Sequence, residues 1–337
     1  MTSGDLATAE ELLLLRQSTR ENLSARRATL PNDVGPSGWE TEWDRLTAQD
    51  LWSAIEPPEG SLCSAAVVAE ELGRALFAGP GPDAMAAAFL LSNLVDEVDL
   101  ADTFTGPAAV AIGGDISITP TGTGNGRLDP SVAVGRNTTL FVVTRSHQIF
   151  RVPSNAASFD QAPSLDVSRC TGTPRLDETP LTVVQSSPSQ VAELALAART
   201  LLYCADTLGC VDYVLERTVD YAKQRSAFGV PIGKYQAVAH RLVDHAIVAT
   251  QMRILLDAAI TAFDTRAGDL DRRRAAAETF FAGRSADVIS DCVQLTGAIG
   301  FTWEFGHHFY LRRVVDNAAL GRGSRRPARQ LAELCPW

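Results

Sequence analysis

Arg225, Phe228, Tyr235 and Gln236 cluster around a short segment that no helix can span smoothly. It reads Arg225-Ser226-Ala227-Phe228-Gly229-Val230-Pro231-Ile232-Gly233-Lys234-Tyr235-Gln236. Pro231 has no backbone N–H and pushes Val230 toward extended geometry. Gly229 and Gly233 tolerate backbone angles that other residues avoid. Helical sequence runs into this corner and out of it, so the pattern predicts a fixed bend between two helices. A planar cation, an aromatic ring and an amide held at a rigid corner suit a flat, phosphate-bearing ligand.

The bulk composition narrows the setting. The chain has 337 residues, 45% hydrophobic and 21% charged, the profile of an ordinary globular protein. Its net charge of −10 argues against a general nucleic-acid binder, whose footprint is basic. Cysteines stand at 63, 170, 204, 210, 292 and 335, with no C-x-x-C pair, and read as reduced, buried thiols. His240 and His245 are five apart and His307 and His308 are adjacent, which gives no metal spacing and no expected metal site. No basic-then-apolar leader opens the chain, and Leu12 to Leu15 is far too short to cross a membrane. The expected location is cytoplasmic, without membrane partners.

The elements that must position the corner come in three blocks. Residues 1–105 read as an N-terminal helical domain. Helical text covers residues 5 to 28, Trp39 to Ile55, Leu62 to Phe77 and Ala84 to Val95, broken by Gly and Pro clusters. Residues 106–185 read as a small middle β domain, antiparallel, from short β-branched runs such as Ala109 to Ile112 and Thr139 to Val143. Gly122 to Gly126 reads as punctuation between strands. Residues 186–337 read as a C-terminal four-helix bundle. Ser187, Pro188 and Gln190 form a helix start, with serine as cap and proline in the first turn. After the bend, Val238, Leu242, Ala246, Ala249, Met252, Leu256, Ile260 and Phe263 step by three or four, as one buried helical face requires. Further helices span about Asp271 to Leu295 and Glu304 to Leu320, and short connections make the bundle antiparallel. The fold class is therefore α+β.

That order and those residues resemble the acyl-CoA dehydrogenases, flavoproteins that desaturate acyl thioesters. The bend matches the family's R-x-x-F-G, proline-isoleucine and aromatic-Gln signature. Gln294-Leu295-Thr296-Gly297-Ala298-Ile299-Gly300 resembles its Q-x-x-G-G-x-G signature, with Ala298 in place of one glycine. Glu70-Glu71-Leu72-Gly73-Arg74 and Leu165-Asp166-Val167-Ser168-Arg169 resemble two further family motifs. The resemblance implies that both bundle signatures reach across a subunit interface to the adenosine and pyrophosphate half of a neighbour's FAD. Arg225 would pair with the pyrophosphate and Phe228 would pack on the cofactor. Gln236 and Gln294 would hydrogen-bond it, and Gly297 would admit close backbone approach. Tyr235, Leu295 and Ala298 complete the implied cofactor-binding set.

The resemblance also exposes what is missing. The family needs a glutamate base at one of two places. One corresponds to Leu320-Gly321-Arg322, after Arg312-Arg313 and Asp316, and holds no glutamate. The other falls at or near Arg199, about ten residues before Leu208-Gly209, and no carboxylate occurs from Leu194 to Ala205. Glu193 and Asp206 flank that place at about 9–10 Å along a helix. A base must reach within about 3 Å of its proton. The family's T-E-P-x-x-G-S-D loop and W-I-T segment are also absent. No catalytic residue is therefore assigned. The resemblance implies a non-catalytic subunit of a heteromeric (α2β2) dehydrogenase of the kind linked to actinobacterial steroid side-chain degradation. A catalytic partner of the same fold would bind most of the acyl-CoA, and an electron-transfer flavoprotein or similar acceptor would take the electrons. The alternatives are a self-sufficient homo-oligomeric dehydrogenase with its base moved to Glu193 or Glu304, and a flavin-free interaction scaffold. His307-His308 and Arg312-Arg313 read as a polar helix face or a partner's entrance. Arg322, Arg325, Arg326 and Arg329 read as a basic tail.

Overall fold

Helix-forming sequence dominates the first third of the chain, and among the described residues four helices precede the first strand. A computed structural model describes residues 7–24, 39–48, 61–92, 108–112, 116–119, 122–128, 131–132, 139–144, 146–153, 156–161, 164–169, 171–185, 190–322 and 327–335. The helices are α1 (Ala9–Asn22), α2 (Trp39–Ala48), α3 (Leu62–Arg74) and α4 (Gly81–Ser92). Thr8 and Glu11 close a reciprocal capping box at the start of α1. Ser61 caps α3, and the remote Asp264 carboxylate accepts from the Leu62 and Cys63 N–H groups at 2.9 and 3.2 Å. The start of α3 is thus tied to the end of a bundle helix.

Among the described residues nine strands follow: β1 (Ala108–Ile112), β2 (Ile116–Ile118), β3 (Thr123–Arg127), β4 (Ser131–Val132), β5 (Thr139–Val143), β6 (Ile149–Val152), β7 (Ser158–Gln161), β8 (Thr171–Pro180) and β9 (Thr182–Gln185). One sheet runs β1-β5-β6-β9 and the other β2-β3-β8-β4, with β7 also paired to β8. The expected antiparallel region contains one parallel pair, β1 with β5. Every residue of β5 is buried, because the strand lies between two cores. Phe141 and Val143 face the helices, while Leu140 and Val142 face the second sheet. This is the period-two alternation of a strand. The glycines expected to punctuate strands instead form β3. A Cβ on Gly124 would stand 2.7 Å from Leu181 Cδ1, so the packing of Leu181 over the strand explains that glycine.

The bundle comprises α5 (Gln190–Gln224), α6 (Gln236–Asp264), α7 (Leu270–Thr296) and α8 (His307–Arg322), with a further helix, α9 (Pro327–Leu334). The Ser187 cap lies outside the described residues. Helix α8 starts at His307 rather than Glu304, because residues 303–305 form a turn that Gly306 closes at φ +74°. The predicted inner face of α6 is buried at Leu242, Ala249, Met252, Leu256, Ile260 and Phe263, but Ala246 is exposed. Part of the expected basic tail is helical. Arg329 lies on α9 and pairs with Glu333 at 3.0 Å, while Arg325 and Arg326 lie outside the described residues.

Two features lock helices to one another. A Cβ on Gly73 would stand 2.0 Å from the Asp206 carbonyl oxygen, and one on Gly209 would stand 1.9 Å from that of Glu70. Helices α3 and α5 therefore cross backbone to backbone, and each offers its only tolerable residue at the crossing. Beside it lies a wholly buried charge cluster. Arg313 donates to both oxygens of Asp206 at 3.0 Å and to Ser168 Oγ at 3.0 Å. Arg169 donates to Asp206 at 2.9 Å and to Asn317 Oδ1 at 2.5 Å. Asp166 and Asp206 balance Arg169 and Arg313, as low-dielectric burial demands. The cluster fixes the segment before β8 to α5 and α8. Burial alone would raise the Asp206 pKa. The charges of Arg169 and Arg313, with hydrogen bonds from Arg313 and Asn317, outweigh burial and hold it below the ordinary carboxylate value.

Candidate functional site

The corner between α5 and α6 is a β-hairpin followed by a 3-10 turn. Ser226–Ala227 pairs antiparallel with Val230–Pro231. Phe228 and Gly229 form the loop at φ +51° and +82°, the left-handed pair of a two-residue hairpin. Glycine fits there freely, but a phenylalanine does so at a cost of about 1–2 kcal/mol. Its ring is 98% exposed, so internal packing does not offset that strain. The hairpin is braced below. The Ile232 N–H donates to the Arg225 carbonyl at 2.8 Å, and the Tyr235 hydroxyl donates to the Ala227 carbonyl at 2.9 Å. The 3-10 turn Ile232–Lys234 then leads into α6, with Gln236 in its exposed first turn.

The second signature ends α7. Gln294 is exposed on the last turn, and Leu295 is half-buried against the core. Gly297 reverses the chain at φ +68°, ψ −146°, a conformation closed to side chains although a Cβ would meet nothing within 4 Å. Gly300 is fixed by space instead, since a Cβ would stand 2.1 Å from Thr296 Oγ1. Ala298 is exposed, so its methyl group is accommodated where the family resemblance expects glycine.

Ion pairs and rings bring the two signatures to one end of the bundle. Arg241 Nε and His245 Nε2, both near the start of α6, bond Asp291 near the end of α7 at 2.9 and 2.6 Å. Tyr221 of α5 meets Phe305 edge to face at 5.7 Å, and the Arg217 guanidinium lies 4.8 Å from the Phe305 ring centre. Arg225, Gln236 and Gln294 are exposed, and among the described residues none of their side chains has a hydrogen-bond partner within the chain. Unpaired guanidinium, two free amides, a presented ring and a positive-φ glycine form a donor set for a diphosphate and a flat heterocycle. Phe301 and Trp303, 68% and 49% exposed, extend the same end. His307 does not. It is fully buried beneath that end, neither ring nitrogen has a partner, and burial, then the charge of Arg217, pushes its pKa down to about 3. The His307 and Arg313 side chains thus lie in the interior and not on a polar face.

A second location answers the search for a base. Arg199 and the Leu320–Gly321 segment are one place in the fold. Arg199 donates to the Leu320 carbonyl, and Thr200 Oγ1 donates to that of Gly321 at 2.9 Å. Arg199 also donates to Asp83 of α4 at 2.5 Å, and the Tyr203 hydroxyl donates to Asp83 at 2.9 Å. All three side chains are buried. No sequence signal linked Asp83 to Arg199, which lies on a different element. The flanking acids are otherwise engaged. Asp206 belongs to the buried charge cluster, and Glu193 is 59% exposed and pairs with His147 at 3.3 Å. Glu304 is exposed. Residues 93–107, which stand where the resemblance places the T-E-P-x-x-G-S-D loop, lie outside the described residues.

A helical layer, a two-sheet β region and a C-terminal helical bundle make up the acyl-CoA dehydrogenase fold. The chain is similar over nearly its whole length to acyl-CoA dehydrogenases, and its bundle carries their C-terminal domain. Residues 190–323 match the family model described as acyl-CoA dehydrogenase, C-terminal domain. The acyl-CoA dehydrogenase IpdE2 of Mycobacterium tuberculosis is 28% identical over 338 residues, covering 96% of each chain. A chain of the Tcur3481-Tcur3483 steroid ACAD shares the fold at a TM-score of 0.80, with 21% identity over 96% of this chain and 97% of that one. A chain of the ChsE4-ChsE5 complex from Mycobacterium tuberculosis does so at 0.79, with 20% identity over 98% and 97%. The likeness to acyl-CoA dehydrogenases implies FAD.

Proposed function

We propose that this chain is the non-catalytic subunit of a heteromeric, FAD-dependent acyl-CoA dehydrogenase. Arg225, Phe228, Tyr235, Gln236, Gln294, Leu295, Gly297 and Ala298 complete an FAD site whose reactive ring belongs to a partner of the same fold. Bound FAD supplies hydride acceptance. This chain's own residues hold its diphosphate and adenosine ends and keep water from them. Arg225 offers a permanent, forked charge to the diphosphate, and Gln236 and Gln294 offer amides to neighbouring polar atoms. The acyl thioester and the base lie with the partner. The substrate we propose is a steroid side-chain CoA thioester. Support for it comes from the likeness to the Tcur3481-Tcur3483 steroid ACAD and the ChsE4-ChsE5 complex. Cysteines without paired spacing favour a cytoplasmic setting.

One observation carries this reading. Where the base would stand, Arg199 is bound to Asp83 and to the Leu320 carbonyl. A buried cation cannot take a proton from a substrate, and Asp83 is held as its counter-ion. The cofactor-type end, in contrast, keeps its donors free. The test is substrate turnover by the purified chain with an artificial electron acceptor. No turnover alone, and turnover on adding the partner subunit, supports the assignment. Turnover of an acyl-CoA by the chain alone removes it.

A further inference from the structure

The chain has 30 lysine and arginine residues, and only two of them are lysine, Lys223 and Lys234. Both stand at the corner between α5 and α6, and both are exposed. Lys223 lies in the last turn of α5, and Lys234 closes the 3-10 turn. The fold brings their backbones together. A Cβ on Gly233 would stand 3.1 Å from the Ala222 carbonyl oxygen, so the residues next to each lysine touch. Arg225 belongs to the same patch, because its carbonyl accepts from the Ile232 N–H at 2.8 Å. Lys223 faces Asp220 at 3.9 Å with both side chains in solvent, which is a weak pair. Lys234 has no ion-pair partner among the described residues.

A guanidinium is always charged and is no nucleophile, whereas a lysine amine can lose its proton and attack a carbonyl. The donor set of Arg225, Gln236 and Gln294 suits adenosine and a diphosphate. Coenzyme A carries the same adenosine diphosphate unit as FAD, and its long, flexible pantetheine arm ends in the thioester. Without flavin and partner, the anionic end of an acyl-CoA is drawn to Arg225, and its acyl carbon is held near two amines. We propose that Lys223 and Lys234 are sites of N-acylation by acyl-CoA thioesters bound at the flavin-free bundle end through their adenosine diphosphate part. One proton of the ammonium group first leaves to solvent. The amine nitrogen then bonds to the thioester carbonyl carbon, the carbon–sulfur bond breaks, and the second proton lost from nitrogen ends on the CoA thiol. No oxidant, reductant or further reactant is needed. The amide removes a positive charge beside Arg225. The inference rests on the proposed function only in taking this end as a site for adenosine diphosphate.

The chain's α-amine is the internal reference. At about pH 8 an ordinary α-amine is largely unprotonated and an ordinary lysine amine is not, so unassisted chemistry favours the terminus. The full-length chain, without partner or flavin, is incubated with butyryl-CoA at that pH, and the adducts are mapped by peptide mass spectrometry. Adducts on Lys223 and Lys234 should exceed the terminal adduct about tenfold, because the bound thioester is held near them. Excess ADP should return the lysines to below the terminus. Arg225→Ala should slow both lysine adducts about tenfold and leave the terminal one unchanged. Far-ultraviolet circular dichroism unchanged from the parent shows that this variant folds. S-butyryl-N-acetylcysteamine, a thioester without the adenosine diphosphate part, should acylate mainly the terminus. A terminal adduct that predominates with butyryl-CoA overturns the inference. So do lysine adducts that form at the same rate with ADP present or with Arg225 replaced. The shared-cofactor reading is tested apart from this. Lysine adducts on a chain whose complex holds no FAD would remove that reading alone, and FAD in the complex without lysine adducts would remove this inference alone.

Discussion

Phe228 is the residue at which strain and exposure coincide. A phenylalanine at φ +51° with its ring in solvent costs stability and returns no packing within the chain. Phe228→Gly should therefore raise the thermal midpoint of the isolated chain slightly, by about 1 kcal/mol of stability, while lowering FAD retention by the complex. A lower midpoint on differential scanning calorimetry would show that the ring is needed for folding. Arg225→Ala should weaken FAD retention by about 1.5–3 kcal/mol, the worth of a charge-assisted hydrogen bond, measured as flavin lost on gel filtration. The bend that carries both residues was legible in the sequence, because Gly229, Pro231 and Gly233 stand close together. His307 was not. Its adjacency to His308 suggested a polar face, but residue type does not report that both ring nitrogens are buried. With its pKa down at about 3, the folded chain binds fewer protons than the unfolded one below pH 6.5. Stability is therefore full above that pH and falls as pH drops from 6.5 toward 3, by about 2 kcal/mol at pH 5. His307→Phe should flatten that part of a urea-midpoint profile against pH, and an unaltered profile would exclude His307 as its source.

At the scale of elements, the α3–α5 crossing sets the frame on which both sites rest. Gly73→Ala or Gly209→Ala would place a methyl carbon about 2 Å from a carbonyl oxygen of the other helix. One helix must shift, and a loss of about 1–3 kcal/mol, or more, is expected in denaturant unfolding. Unchanged midpoints would mean that the helices can part without cost. Both glycines stood in recognisable motifs, yet the sequence does not say why they are glycines. The helices were legible because their apolar periodicity is long. The strands were harder. Gly122 to Gly126 reads as turn text, and β8 contains Pro174 and acidic residues, because its exposed positions answer to solvent and its pairing answers to three other strands. Pairing partners far apart in sequence leave no local mark. The same holds for Arg199 and Asp83, whose union across α4 and α5 decides the chemistry of the interior.

Across the whole molecule, two arrangements divide the work. The interior binds its own charges tightly. Removing one, as in Asp206→Asn, leaves Arg169 and Arg313 facing Asp166 alone and should cost about 3–5 kcal/mol in equilibrium unfolding. The Asp206 contribution is present above the ordinary carboxylate pKa and is lost as pH falls through its lowered folded value. The bundle end, by contrast, leaves Arg225, Gln236 and Gln294 unpaired and presents Phe228 to solvent. A chain that pairs the charges of its buried Arg169–Asp206–Arg313 cluster and keeps its donors free at one end is suited to complete another chain's site. The direct measurement is flavin stoichiometry by absorbance and amino-acid analysis. The account predicts almost no FAD on the purified chain and one FAD for each pair formed with its partner subunit. One FAD on every isolated chain would contradict it.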